Sequence, residues 1–219
     1  MYKRQGLEGS DIEAILLSAQ NKEKCSANAA GEVEKISFMN DYAASLRDMI
    51  CRGVNADDYA RPLRGYHIVV DAGNGVGGFY AEKVLAPLGA DIKGSQFLEP
   101  DGRFPNHIPN PENEAAMQSV CKATLENHAD LGVIFDTDVD RAGCVDHSGN
   151  EINRNRLVAL AACIALEGNE GGTIVTDSIT SSGLKAFIER DLGGKHHRFK
   201  RGYKNVIDEA QRLTAQGIN

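Results

Sequence analysis

From Tyr66 onward the chain alternates short β-branched runs with amphipathic stretches, and this rhythm constrains its fold more than any other feature. "YHIVVDA" (66–72) is a strand. "GVGGFYAEKVLAPLG" (75–89) reads as a helix entered through glycines, and "ADIKGSQF" (90–97) as a second strand. A proline- and asparagine-rich loop, "EPDGRFPNHIPNP" (99–111), precedes the helical pattern "ENEAAMQSVCKATLENH" (112–128) and the strand "LGVIF" (131–135). "GCVDHSGNEIN" (143–153) is a hairpin turning at Ser148-Gly149-Asn150, and "NRLVALAACIALEG" (155–168) an apolar helix. Gly168, Gly171 and Gly172 mark a boundary. Strand "TIVTD", helix "SSGLKAFIERDL", strand "HHRFK" and helix "YKNVIDEAQRLTA" follow it. Alternation of this kind implies an α/β fold of mixed, largely parallel sheets flanked by helices. Upstream, helices are expected over Asp11–Gln20 and in "FMNDYAASLRDMI", with an irregular polar stretch between them. "MYKRQ" fits nothing that follows and is set aside from the fold as an artefactual remnant. The last unit runs out of chain after two strands, and two strands alone are marginal. Both ends therefore read as cut, and the chain as a fragment.

Composition narrows the function classes. A net charge of -7, with "KHHRFKR" as the one dense basic stretch, argues against nucleic-acid binding, which rests on clustered Lys and Arg. No apolar run approaches the ~20 residues that span a bilayer, so no membrane partner is expected. Five cysteines, spread out and without CxxC spacing, favour reduced thiols over a disulfide frame or a zinc site. A cytoplasmic setting is expected, or a plastid if a transit segment precedes the chain.

The chemistry-bearing stretch is "LGVIFDTDVDRAGCVD" (131–146), where an apolar strand delivers Asp136, Asp138 and Asp140, followed at once by Arg141. Alternate residues leaving a strand point the same way, so three carboxylates can converge on one point. Like charges so close need a positive partner, and an oxygen-loving divalent cation supplies it best. An EF-hand is excluded, because Arg141 and His147 stand where Gly and Glu are required. An aspartate-nucleophile phosphatase is disfavoured by Asp140, which stands where Thr or Val is usual. A solvated acidic turn remains the bland alternative. Arg141 suits a site that also handles phosphate, since its planar fork matches phosphate oxygens.

Two further motifs carry competing readings. Gly73, Gly75 and Gly78 satisfy G-x-G-x-x-G between a strand and a helix, with Asp91 near the end of the next strand, as in dinucleotide-binding oxidoreductases. Glycines at a tight turn are often only structural, and Asp71 would set a negative charge beside any pyrophosphate. In "KHHRFKRGYKN", Lys195, Arg198, Lys200, Arg201 and Lys204 surround Gly202 ahead of a helix, an arrangement able to hold an anion or merely a solvated basic face. His107, in the proline-rich loop, is read as locally hydrogen-bonded rather than as a ligand.

Taken in order, "VVDAGNGVGG", "FLEPDGRFPNHIPNPENEAAM", "DLGVIFDTDVDRAG", "TIVTDSITSSGL" and "HHRFKRGYKNVIDEA" resemble the α-D-phosphohexomutases, the family of phosphoglucomutases and phosphomannomutases. The resemblance implies the end of a first domain (1–35), a second domain with the metal loop (36–170) and part of a third (171–219). It implies Mg2+ held by Asp136, Asp138 and Asp140, with Arg141 beside the catalytic centre and Lys200, Arg201 and Gly202 near the substrate. The implied reaction interconverts hexose 1-phosphate and hexose 6-phosphate through a phosphoserine and a hexose bisphosphate, with other domains of the same chain as partners. Two departures stand out. Thr137 replaces the glycine usual in the family's D-G-D-x-D-R loop, and the T-A-S-H-x-P segment that carries the family's serine does not occur in this sequence. A chain without it is expected to be inactive alone.

Overall fold

In the computed structural model, which describes residues 7–23 and 31–219, the apolar runs become five short strands and the amphipathic stretches six α-helices. "MYKRQ" and Cys25 lie outside the described residues. Two compact units are present, one spanning 36–154 and the other combining the segment before 36 with 155–219.

The 36–154 unit is built on a three-stranded sheet in the order β1 (Ile68–Asp71), β2 (Leu131–Phe135), β3 (Ala142–Asp146). β1 pairs with β2 in parallel, Ile68 opposite Leu131 and Asp71 opposite Ile134. β2 and β3 are antiparallel, ending at the pair Phe135–Ala142. The mixed sheet agrees with the class expected from sequence. β1 is buried at every position, as befits a β-branched run covered on both faces. Helix α3 (Glu114–Glu126) starts where the Asn113 side chain accepts the Ala116 N–H at 3.1 Å. It lays Ala116, Met117 and Val120 against Ile134 and Val145. Burying a side chain the size of Val120, Ile134 or Val145 contributes roughly 1.5–3 kcal/mol. Gly132 lets α3 come close, since a methyl group there would collide with the Thr124 hydroxyl. At the Ser148-Gly149-Asn150 turn, Gly149 is left-handed (φ +75) and Asp146 accepts the Ser148 and Asn150 amides at 2.9 Å each.

Several expected elements differ, and the hairpin expected over 143–153 keeps its turn while its return arm makes only the bridge Val145–Glu151. The stretch 75–89 forms a 3-10 turn (Val76–Gly78) and then a π-helix (Tyr80–Leu85) rather than a regular helix. Pro87 has no N–H to give the Lys83 carbonyl one turn earlier, and the Arg47 guanidinium donates to it instead. Arg47 lies on α2 (Met39–Val54), which buries Ala43 and Cys51 against Val84 and Leu88. "ADIKGSQF" is not a strand: its backbone meets β1 and the residue before it at the isolated bridges His67–Asp91 and Asp71–Gln96, and the Ser95 and Gln96 side chains bond to Val70 and Asp71. Between the two bridges Gly94 takes a left-handed turn (φ +85) against Asn127, which breaks the ladder.

In the other unit β4 (Thr173–Thr176) and β5 (Lys195–Arg198) pair in parallel, Thr176 opposite Arg198. α4 (Arg154–Leu166) and α5 (Ser182–Ala186), the latter continuing as a π-turn to Asp191, supply the core Ala162, Leu166, Leu184 and Ile188. α6 (Tyr203–Ala215) buries Glu209 and Leu213. α1 (Gly9–Gln20) buries no residue, and its preceding Glu8 pairs with Lys204 at 2.7 Å. Among the described residues no helix is long and apolar enough to cross a membrane.

Candidate metal centre

β2 carries the chain out of the core at Phe135, and β3 takes it back at Ala142. Between them the loop 136–141 is closed by the Asp136 N–H donating to the Arg141 carbonyl at 3.1 Å. Val139 adopts a left-handed conformation (φ +66), so the loop curls instead of continuing the strand. That curl brings one carboxylate oxygen from each of Asp136, Asp138 and Asp140 within 4.8 Å of one another. Convergence was expected from strand alternation; the curl at Val139 produces it.

The three carboxylates are not equivalent. Asp136 is fully buried, whereas Asp138 and Asp140 are exposed. Arg141 wraps back onto Asp136: its amide donates to Oδ1 at 3.0 Å, its Nε to Oδ2 at 2.9 Å, and its Nη2 lies 2.8 Å from Oδ2. Burial works to raise the Asp136 pKa, but the Arg141 amide, the Asp140 side chain and the guanidinium together hold it below the usual carboxylate range. Asp140 moves the opposite way, first through its hydrogen bond with Asp136, against the pull of Arg141 at 3.3 Å. The donor set is all oxygen, with no His or Cys, which fits a hard divalent cation and not zinc.

Residues outside the loop complete the surroundings. Asn110, between Pro109 and Pro111, turns its Oδ1 toward Arg141 Nη1 at 3.4 Å. His107, in the same proline-rich loop, meets the buried Asp71 carboxylate at 3.0 Å; local hydrogen bonding was expected, and beside the local contact to the Ile108 carbonyl at 3.2 Å the side chain bonds to a residue 36 positions away. Asp71 also accepts from Gly73 N–H (2.9 Å), Gln96 Nε2 (2.8 Å) and Ser119 Oγ (2.9 Å). The role of Asp71 was missed from sequence because three of its four partners, Gln96, His107 and Ser119, lie 25 to 48 residues away. The one signal was an ionisable residue closing an otherwise apolar run.

The glycine motif does not support a dinucleotide site, which corrects that alternative. A methyl group on Gly73 would lie 2.8 Å from His107, and one on Gly75 2.8 Å from the Thr137 carbonyl oxygen. At Gly78 it would collide with the Leu98 carbonyl. The chain itself fills the space a pyrophosphate would need. Lys200, Arg201 and Gly202 belong to the other unit, on an exposed turn between β5 and α6. Lys200 Nζ sits 5.8 Å from the Phe199 ring centre, and Gly202 has φ +116 just before the first turn of α6.

Residues 41–149 match the family profile described as phosphoglucomutase/phosphomannomutase, alpha/beta/alpha domain II. The chain belongs to the α-D-phosphohexomutase family. A phosphomannomutase/phosphoglucomutase of Pseudomonas syringae is 32% identical over 185 residues, covering 84% of this chain and 37% of that protein. A phosphoglucomutase of Neisseria gonorrhoeae is 32% identical over 208 residues, covering 95% of this chain and 42% of that protein. The crystal structure of a phosphoglucomutase/phosphomannomutase family protein from Burkholderia thailandensis superposes with a TM-score of 0.80 at 27% identity, covering 98% of this chain and 43% of that one. An Aspergillus fumigatus N-acetylphosphoglucosamine mutase, solved with GlcNAc-6P and magnesium, shares the fold at a TM-score of 0.50 and 19% identity, over 78% of this chain and 34% of that one. This phosphohexomutase chain thus spans about two fifths of the length of the curated relatives it matches.

Proposed function

We propose that this chain carries the cation-binding segment of a magnesium-dependent phosphohexomutase, a phosphotransferase-type isomerase acting on hexose phosphates. The observation that carries the proposal is the convergence of Asp136, Asp138 and Asp140 within 4.8 Å, with Arg141 locked onto the buried member. Asp136 is the fixed ligand, anchored at the end of β2 and kept ionised by Arg141. Asp138 and Asp140, exposed on the loop, close on Mg2+ from the solvent side. When bound, the cation offsets negative charge on a phosphoryl group in transfer. The Arg141 guanidinium gives a second, permanent positive charge beside that position. Magnesium in the Aspergillus mutase of the same fold supports the choice of metal.

Substrate contacts fall to the exposed basic turn Lys200-Arg201-Gly202, where two cations meet the amides opening α6, a setting that favours a sugar phosphate. In the complete enzyme, a phosphoserine passes its phosphoryl group to a hexose monophosphate, and the resulting bisphosphate returns the other phosphate to serine. This sequence holds no T-A-S-H-x-P segment, so the chain alone turns over no hexose phosphate. Isothermal titration with MgCl2 tests the reading. One saturable site, abolished in Asp138→Asn, is expected; no heat of binding at millimolar Mg2+ would overturn it.

A further inference from the structure

The turn 72–76, between β1 and the 3-10 segment, spends its contacts on protein rather than solvent. Its Val76 N–H donates to the Thr137 carbonyl at 3.0 Å. That carbonyl belongs to the peptide leading into Asp138, so its direction governs where the Asp138 carboxylate reaches. Gly75 packs on the same group: a methyl group there would lie 2.8 Å from Thr137 O and 3.0 Å from Thr137 Cα. The backbone of Gly75 itself (φ −78, ψ −167) is one any L-residue adopts. Glycine is therefore required at 75 by the close approach of the aspartate loop, not by its own conformation.

The turn is held rigid from beneath. Gly75 N–H donates to Ala72 O at 2.7 Å, and Gly73 N–H to Asp71 Oδ1 at 2.9 Å. Asp71 is fully buried, and its second oxygen is gripped by Gln96 and Ser119. Asp71 also pairs with Ile134 across the sheet, two residues before Asp136. Turn and loop thus share one rigid base.

We propose that the turn 72–76 is a clamp on the aspartate loop, with Gly75 and Asp71 as positioning residues that fix the Thr137 peptide and so the reach of Asp138. The inference rests on the cation site proposed above, and neither residue touches the cation.

Titration with Mn2+, followed by electron paramagnetic resonance, tests it on the 219-residue chain. Gly75→Ala retains all three carboxylates but pushes Thr137 away. It is expected to weaken Mn2+ binding by about 10–100-fold, the range typical of supporting groups around metal ligands, and to change the line shape of the bound ion, with an unchanged circular dichroism spectrum. Asp71→Asn should shift affinity in the same direction. Should neither variant fold, the unmodified chain still decides: the clamp requires Val76 amide exchange to slow several-fold when Mg2+ is added. Equal Mn2+ affinity and line shape in folded Gly75→Ala, or a Val76 exchange rate indifferent to Mg2+, overturns the clamp alone. Absence of Mn2+ binding by the unmodified chain overturns the cation site, and the clamp with it.

Discussion

Replacing Asp71 by alanine should be among the most damaging single changes in the 36–154 unit, although Asp71 is not placed at the reaction centre. Its buried carboxylate accepts from four donors, and the donors differ in what they keep once it is gone. Gln96 Nε2 retains the Ser119 hydroxyl at 2.7 Å, and that hydroxyl stays satisfied as an acceptor. Gly73 N–H and His107 Nε2 have no other partner in the contacts at that site and are stranded in a dry setting, with the His107 side chain only 5% exposed. A buried donor left unsatisfied costs about 1–3 kcal/mol, so two give roughly 2–6 kcal/mol. Domains of ordinary stability hold only about 5–15 kcal/mol in total. Asp71→Asn keeps Oδ1 as the acceptor for Gly73, and rotation of Ser119 with a flip of the Gln96 amide accommodates the new NH2. Its cost should be about 1–2 kcal/mol. Native-state hydrogen exchange of the core amides of Val69, Val70 and Ile134 reads the opening free energy of this unit directly. A loss below about 1 kcal/mol in Asp71→Ala, or equal losses in the two variants, would refute the donor accounting.

Two other perturbations follow from local geometry. His128, exposed and left-handed (φ +52) after the end of α3, occupies a position that favours glycine; His128→Gly should raise stability by about 0.5–1 kcal/mol in urea denaturation, and a loss would count against the strain assigned there. In the other unit, Glu209 is held below the usual Glu range chiefly by its hydrogen bonds from Arg212, with His197 also facing it, and His196 is pushed below the usual His range chiefly by burial. For both groups the unfolded chain binds more protons. Their stabilisation is therefore complete above about pH 6.5 for His196 and about 4.5 for Glu209, and is lost as pH falls through the folded-state values. Arg212→Gln should flatten the acid limb of a pH–Tm profile, whereas an unchanged limb would remove Glu209 from this role.

The strands at 68–71 and 131–135 are readable in the sequence because each is a compact apolar run bounded by turn residues. The strand at 142–146 is readable only as the first arm of a hairpin whose return arm makes a single bridge, Val145–Glu151. The aspartate cluster was readable for a related reason: its three carboxylates sit within one loop, so no long-range contact is needed to assemble them. What escaped was whatever depends on partners distant in the chain. "ADIKGSQF" has strand composition, but Gly94 turning against Asn127 decides its path. The helical pattern at 75–89 widened into a π-turn beside a proline whose missing N–H is answered by Arg47 on another helix. The glycines of "GNGVGG" match a nucleotide fingerprint in spacing alone, and only the positions of His107, Thr137 and Leu98 reveal that each is packed against protein.

The central claim is that Asp136, Asp138 and Asp140 hold one divalent cation, and the most direct measurement is anomalous diffraction from crystals of this chain soaked in Mn2+. The account predicts a single strong peak about 2 Å from one oxygen of each of the three carboxylates, with Arg141 still against Asp136. A peak elsewhere, or none at the loop while the crystals remain ordered, would contradict it.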